Sequence, residues 1–122
     1  MDLEEKIAKI TSTYLGYEDH GIFTAWVQLD YGGSAQGAGG YMLDYYNEES
    51  KGRDGRKEGI EFIAGVLAAT GVRSWEEVAG RTVLALIEGR GFGGKVLGLK
   101  PLPTERGSEF LFQDVFPPAV EA

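Results

Sequence analysis

The chain has 122 residues, a formal net charge of −7 and no cysteine. A length of this order fits one globular domain, residues 1–122, whose core is large enough to fold without a disulfide or a structural metal. The hydrophobic content of 43% excludes a disordered chain. The absence of cysteine excludes thiolate metal sites and a cysteine nucleophile.

The charge and the hydropathy pattern limit the partners of the protein. A negative net charge argues against binding to bulk nucleic acid, which needs clustered lysine and arginine. No apolar run approaches the ~20 residues of a membrane span. We therefore expect a cytoplasmic protein, without a membrane anchor and without a cofactor.

Strand patterns dominate the first third of the chain. Residues 6–17 are rich in β-branched and aromatic side chains, which favours a strand, although residues 1–8 could instead form a short helix. Residues 18–21 have the composition of a hairpin turn, and residues 22–31 alternate between an apolar face and a mixed face. The mixed face carries Trp26, which suits either an interface or a cover formed by the N-terminal segment.

Residues 31–41, which we call the glycine segment, contain five glycines in nine residues between two tyrosines. Ordering so many glycines is costly, so we expect backbone conformations that only glycine adopts, or a close approach to a ligand or a neighbouring chain. Exposed amides can bind phosphate oxygens, and tyrosine rings offer surfaces to a base. This segment is the best candidate site, either as a ligand pocket or as a bulged strand at a subunit boundary. The expected ligand contacts are Tyr31, Gly32, Gly33, Ser34, Gln36, Gly39, Gly40 and Tyr41.

The remaining two thirds of the chain predict further strands around one main helix. Residues 58–70 have a helical stripe of Ile60, Ile63 and Leu67, widened by apolar neighbours. The other predicted elements are a strand over 41–43, a charged surface loop over 44–57, a short helix from a capping box at Ser74 to Gly80, a central strand over 81–88, a turn over 89–94, a strand over 95–99, a loop over 101–107 and a last strand over 108–112. The sequence thus predicts an α+β fold, a mostly antiparallel β-sheet with one main helix and one short helix.

The segment Glu18-Asp19-His20 places two carboxylates beside the only histidine of the chain. Such groups could act as acid and base in catalysis. Consecutive residues of a turn point in different directions, however, so a turn or a ligand-contacting role is the simpler interpretation.

Residues 89–95 come close to the spacing of a phosphate-binding P-loop. They lack the Ser or Thr that should follow Lys95, and the next residues predict a strand where the motif needs a helix. We interpret them as a wide glycine-rich hairpin in which Arg90 and Lys95 could meet an anionic ligand.

Several short motifs carry a resemblance to a family of small phage and prophage proteins. They are Glu18-Asp19-His20-Gly21, Asp30-Tyr31-Gly32-Gly33, Gln36-Gly37 and Gly39-Gly40-Tyr41, followed by Gly71-Val72, Trp75-Glu76 and Gly80. Within that group the chain looks like the Thoeris anti-defence proteins, which sequester a cyclic ADP-ribose signal made by a bacterial TIR-domain enzyme. The resemblance implies a homo-oligomer, either a dimer or a hexamer built from dimers, with pockets shared by adjacent subunits.

The same resemblance implies an aromatic ring that stacks on adenine and arginines that meet the diphosphate. Candidates for the arginines are Arg81, Arg90 and Arg106. Candidates for the stacking ring are Phe92, Phe110 and Phe112.

We therefore expect a non-enzymatic phage anti-defence protein that binds a cyclic nucleotide-type immune signal and sequesters it without cleavage. Sequestration requires only tight binding and enough copies of the protein. Two alternatives stay open. One is a protein-binding inhibitor of a bacterial defence complex, such as an anti-CRISPR, and the other is a small enzyme that degrades the signal with His20 and Glu18 or Asp19 as acid and base.

Overall fold

The computed structural model describes residues 3–89 and 94–117, and in these residues it shows an α+β architecture. The strands are β1 (Leu3–Tyr17), β2 (Phe23–Asp30), β3 (Ala35–Met42), β4 (Asp44–Asn47), β5 (Gly52–Gly55), β6 (Thr82–Glu88), β7 (Val96–Lys100) and β8 (Phe110–Leu111). The main helix is α1 (Lys57–Thr70), and two single-turn 3-10 helices cover Trp75–Glu77 and Phe112–Asp114. Six strands form one antiparallel sheet in the order β3-β2-β1-β6-β7-β8, and β4 pairs with β5. The predicted fold class is confirmed.

Strand β1 is the longest element and pairs with two partners in succession. Its first half, from Leu3 to Lys9, pairs with β6, and its second half, from Lys9 to Tyr17, pairs with β2. A bulge between Ile10 and Ser12 marks the change of partner. The strand predicted for residues 6–17 thus begins earlier, and the alternative of a helix over residues 1–8 is wrong from Leu3 onward.

Strand β6 is buried on both faces, as its continuous apolar sequence predicts. One face contributes Val83 and Ala85 to the core beneath α1. On the opposite face Leu86 lies in register between β1 and β7, and the ion pair from Lys100 Nζ to Glu5 Oε2 (2.8 Å) spans the same three strands. The aliphatic stems of long charged side chains cover apolar surface in this way.

Helix α1 packs on the sheet through Phe62, Val66 and Ala69, which are all buried. The predicted stripe of Ile60, Ile63 and Leu67 is not the most deeply buried face of the helix, because Ile60 is 71% exposed, whereas Ile63 and Leu67 are partly buried against the core. Both stripes have helical spacing, so the choice between them depends on what the helix meets. It meets an aromatic cluster from the end of the chain, where Phe62 lies 5.7 Å from Phe110, centroid to centroid.

Residues 44–57 were predicted to be an irregular surface loop. They instead contain the β4–β5 hairpin. Arg53 donates from Nε and Nη2 to the two carboxylate oxygens of Asp44, each at 2.8 Å. Asp44 is 3% exposed, and the hydrogen bonds from Arg53 hold the pKa of its carboxyl below the usual value of 3.8. A paired charge is therefore buried in a segment whose composition is typical of solvated loops.

Three other elements differ from their predictions. Strand β3 begins at Ala35, six residues before the predicted strand over 41–43, so most of the glycine segment is a strand. The last strand is shortened to Phe110–Leu111, because the chain turns there into a 3-10 helix. The capping box at Ser74 does not form: its hydroxyl donates to the Glu77 carboxylate (2.9 Å) and accepts no hydrogen bond from a backbone amide, and the helix is a single 3-10 turn.

We predict that Asp44→Asn lowers the free energy of unfolding at pH 7 by about 2 kcal/mol, because it removes one half of a bidentate, largely buried pair. The folded-state pKa of Asp44 is depressed, so its contribution is fully present above the unfolded-state pKa and is lost as the pH falls through the folded-state pKa. The difference between the wild type and the variant should therefore vanish in strong acid. Urea unfolding at several pH values measures it.

The matched control is Asp54→Asn, which removes the same charge from the same hairpin but keeps an acceptor for the Asn47 amide. It should change the free energy of unfolding by less than about 0.5 kcal/mol. A loss in Asp44→Asn that is equally large at pH 7 and in strong acid would contradict a charge-based role.

A second prediction compares two neighbouring glycines of β3. Gly39 and Gly40 both have a positive φ, of 101° and 84°. A Cβ on Gly39 would lie 2.9 Å from the Ala25 carbonyl oxygen and 3.1 Å from the Phe62 ring, whereas a Cβ on Gly40 would meet nothing within 4 Å. Gly40→Ala should cost about 1 kcal/mol through backbone strain alone, and Gly39→Ala about 1–3 kcal/mol more through overpacking. Equal losses in denaturant unfolding would show that the close approach at Gly39 is unimportant.

Candidate functional site

A pocket of about 340 Å³ opens where β3, the β6–β7 hairpin and the last 3-10 helix meet. This volume lies near the lower end of the ~300–1,000 Å³ that is typical of small-molecule sites. The lining combines apolar and polar groups, including a lysine, a glutamate and an amide. The lining residues are Tyr41, Glu88, Lys95, Leu97, Gln113, Phe116 and Pro117.

A hydrogen-bonded bridge from the glycine segment brings β3 close to β7 and so forms the pocket. Gln36 donates from Nε2 to the Gly94 carbonyl (2.7 Å), and its Oε1 accepts from the Tyr31 hydroxyl (2.9 Å). Gly94 directly precedes Lys95, which lines the pocket. Three predicted residues of the glycine segment are therefore near the pocket. Tyr41 lines it, and Tyr31 and Gln36 form the hydrogen-bonded bridge beside it.

Tyr41 forms the aromatic wall together with Phe116. Their rings are stacked with centroids 4.8 Å apart and an interplanar angle of 6°, and the Arg56 guanidinium lies 5.3 Å from the Phe116 centroid. Burial raises the pKa of Tyr41, so its phenol stays protonated at neutral pH. Phe116 thus covers one face of the Tyr41 ring, and a contact of Tyr41 with a ligand stays a prediction.

The charged part of the lining comes from the ends of two paired strands. Glu88 and Lys95 close the β6–β7 hairpin, where the Glu88 amide donates to the Lys95 carbonyl (2.9 Å). Both side chains line the pocket, which therefore offers an ammonium to an anionic ligand and a carboxylate to a hydroxyl or amine. The predicted contacts Arg90 and Phe92 fall within residues 90–93, outside the described residues.

The turn at the start of the glycine segment does not form the expected phosphate-binding nest. The Tyr31 amide donates to the Ser34 carbonyl (2.8 Å), and the Gly32 amide donates to the Asp30 carboxylate (2.9 Å). A carboxylate beside these amides repels a phosphate. Gly32, Gly33 and Ser34 are exposed turn residues outside the pocket lining.

The ring of Tyr31 also has a partner within the chain. The Lys6 ammonium lies 4.6 Å from its centroid, a cation–π contact. Burial raises the pKa of Tyr31, and its hydroxyl is used by Gln36. Tyr31 therefore holds the end of β3 in place and supports the pocket without lining it.

The structure does not bring the remaining predicted contacts to the pocket. Arg81 lies 3.9 Å from Glu105, nitrogen to oxygen, and neither it nor Arg106 lines the pocket. Phe110 is 8% exposed and Phe112 is 1% exposed, and both pack against Phe62 in the core. A ring enclosed in this way has no free face for adenine, so the structure does not support Phe110 or Phe112 as the stacking ring.

Sequence reasoning missed Gln113, Phe116 and Pro117, which supply one wall of the pocket. The signal available in the sequence was the pair Phe112 and Phe116, two aromatic residues four positions apart in a segment that ends in proline. Only the turn of the chain after β8 brings these residues over Tyr41.

Two further pockets, of about 260 and 240 Å³, lie on the outer face of the sheet, and Glu18 and Trp26 line both of them. Trp26 stacks on Tyr14 of β1 at 4.5 Å, so the N-terminal strand covers it, as one of the two interpretations predicted. His20 Nδ1 lies 3.1 Å from Glu18 Oε2, and Glu18 Oε1 accepts from the His20 and Ile22 amides at 2.5 and 3.2 Å. The turn thus brings Glu18 and His20 into contact, although turn residues were expected to point apart.

These contacts define what Glu18 does. The hydrogen bond from the His20 side chain, aided by the two amides, holds the pKa of Glu18 below its usual value. The His20 side chain is 84% exposed. A carboxylate that accepts three hydrogen bonds stabilises the turn. The exposed imidazole beside it resembles the acid–base pairs of enzymes only in its distance from the carboxylate.

The described ranges, residues 3–89 and 94–117, contain neither a metal-binding cluster nor a membrane-spanning helix. No group of three or more His, Cys, Asp or Glu side chains in these ranges could hold a metal ion. No helix within them is long and apolar enough to cross a membrane.

Comparisons of the chain with protein-family models, with curated proteins and with solved structures found no match.

The bridge from Tyr31 through Gln36 to Gly94 generates a prediction. Gln36→Leu should lower the free energy of unfolding by about 1–2 kcal/mol, because it removes two hydrogen bonds and leaves the Tyr31 hydroxyl without its partner. Tyr31→Phe removes one of the two bonds and should cost about half as much. Thermal or urea unfolding measures both variants, and a larger loss in Tyr31→Phe would show that the bridge to β7 is not the stabilising contact.

Proposed function

We propose that the protein binds a small nucleotide-type molecule in the pocket beside Tyr41 and Lys95 and sequesters it intact. The observation that carries this proposal is the composition of the pocket. An ammonium from Lys95 suits a phosphate, the Gln113 amide can pair with a base or a sugar hydroxyl, and Leu97 and Pro117 supply apolar surface. These are the groups that a ligand with a charged and an apolar part requires.

The setting of this function comes from the motif resemblance. In that setting the ligand is a cyclic ADP-ribose isomer, the protein is phage-encoded, and it acts in the host cytoplasm against a defence signal. A diphosphate ligand with a base and two sugars extends beyond a pocket at the lower end of the usual size range. This size supports a homo-oligomer, a dimer or a hexamer, in which a neighbouring subunit completes the site.

Two observations favour other functions. Tyr45 and Tyr46, on the β4–β5 hairpin, are 46% and 49% exposed, and tyrosines are enriched at the centres of protein interfaces. They favour the protein-binding inhibitor. The contact of His20 with Glu18 favours the enzyme that degrades the signal.

One experiment separates the three functions. The protein is incubated with a TIR-derived cyclic ADP-ribose, unbound ligand is removed, the protein is denatured by heat, and the released material is assayed. We expect intact ligand. Altered ligand would indicate the enzyme, and no retention of this or of other cyclic nucleotides would exclude both small-molecule functions.

A charge reversal tests the pocket itself. Lys95→Glu should weaken retention of an anionic nucleotide at least about tenfold, because it replaces attraction by repulsion at the pocket wall. Lys9→Glu, on an exposed position of β1, makes the same change in net charge and should leave binding unchanged. Calorimetric titration of both variants measures the effect. Equal affinities would place the ligand elsewhere on the protein.

A further inference from the structure

Within residues 3–89 and 94–117, nothing pairs with one edge of the second half of β1. Pairing with β2 uses the backbone groups of Ser12, Tyr14 and Gly16, since the pair Glu18–Ile22 closes the hairpin and hydrogen-bonded pairs then alternate along the ladder. The amides of Thr13, Leu15 and Tyr17 therefore point away from β2. Strand β6 does not cover them, because its pairing with β1 ends at Lys9.

The carbonyl groups on this edge are also largely free. The Tyr17 carbonyl accepts a hydrogen bond from the Tyr14 hydroxyl. Among residues 3–89 and 94–117, no hydrogen bond outside the regular strand pairing involves the backbone of Thr13 or Leu15. An unpaired strand edge of this kind is a ready template for another strand.

Apolar side chains accompany the free edge. Leu15 is 36% exposed and Tyr17 is 64% exposed, and Tyr17 contacts Phe23 edge to face at 5.1 Å. Phe23 also lines an apolar groove of about 330 Å³ with Ile60 and Ile63 of α1. The exposed Ile60 and the partly buried Ile63 thus extend the apolar surface beside the edge.

The two outer strands of the six-stranded sheet are protected. Strand β3 is bulged at Gly39 and Gly40 and approaches β7 through Gln36, and β8 has two residues. The first half of β1 is free on its opposite side, but it carries charged residues, which discourage strand addition. These are Glu4, Glu5, Lys6 and Lys9. Residues 11–17, Thr-Ser-Thr-Tyr-Leu-Gly-Tyr, carry neither charge nor proline.

We propose that this edge binds a second copy of the chain, through antiparallel pairing of residues 13–17 of the two β1 strands, with Leu15 opposite Leu15 at the two-fold axis. Antiparallel pairing of a strand with itself is two-fold symmetric, so one surface serves both copies. The pairing sets no like charges opposite each other, although each chain carries a net charge of −7. It joins the two sheets into one and buries Leu15 and Tyr17 of both copies at the new interface. This interface does not depend on the proposed ligand.

Sedimentation velocity of the full chain, from about 1 µM to about 1 mM, tests the interface over the range in which moderately tight dimers form. We expect a dimer whose dissociation constant rises at least about tenfold in Leu15→Lys, because two ammonium groups then meet at the two-fold axis. Ile7→Lys is the matched control. It adds the same charge to the same strand, at a residue that is 64% exposed in the other half of β1, and should dimerise normally.

Amide hydrogen exchange of the wild type provides a second measurement that needs no variant. The amides of Thr13, Leu15 and Tyr17 should exchange slowly at high protein concentration and rapidly at low concentration. A monomer at all concentrations would overturn the proposal. A dimer that Ile7→Lys disrupts and Leu15→Lys does not, or one in which these three amides exchange rapidly throughout, would place the interface elsewhere.

Discussion

The change of partner along β1 is the constraint on which the rest of the structure depends. One strand of 15 residues crosses from β6 to β2, and the bulge between Ile10 and Ser12 allows it to satisfy both ladders. Because β2 and β6 each cover only half of β1, each half keeps one edge that no other described strand pairs with. In this arrangement β3, which holds most of the glycine segment, lies beyond β2. The hydrogen bond from Gln36 then joins β3 to the start of β7.

The pocket and the core share residues. Tyr41 stacks on Phe116 at the pocket and packs against Phe62 in the core. A Cβ on Gly39 would lie 3.1 Å from the Phe62 ring, so the backbone that supports the pocket approaches the core closely at this glycine. Any ligand that orders this wall would therefore also stabilise the fold, because it would bind the folded chain alone.

A sequence prediction was correct where its physical cause lies within the segment itself, and wrong where the cause is a tertiary contact. Strands β2 and β6 were predicted correctly, since alternation and a continuous apolar run are properties of the segment itself. The buried face of α1 was not, because two apolar stripes compete on that helix and only the aromatic cluster selects one. For the candidate site, Tyr41 and Lys95 were identified, but the wall from Gln113 to Pro117 joins them only through the path of the chain after β8.

The sequence by itself determined the class of fold, the order of the main elements and the need for a close backbone approach in the glycine segment, because composition, periodicity and glycine content act locally. Only the tertiary structure decided what that segment approaches. It showed that Gly39 meets Phe62 and that Arg81 and Phe110 lie apart from the pocket. These are contacts between residues distant in the sequence, and they depend on the register and curvature of the whole sheet, which no local pattern encodes.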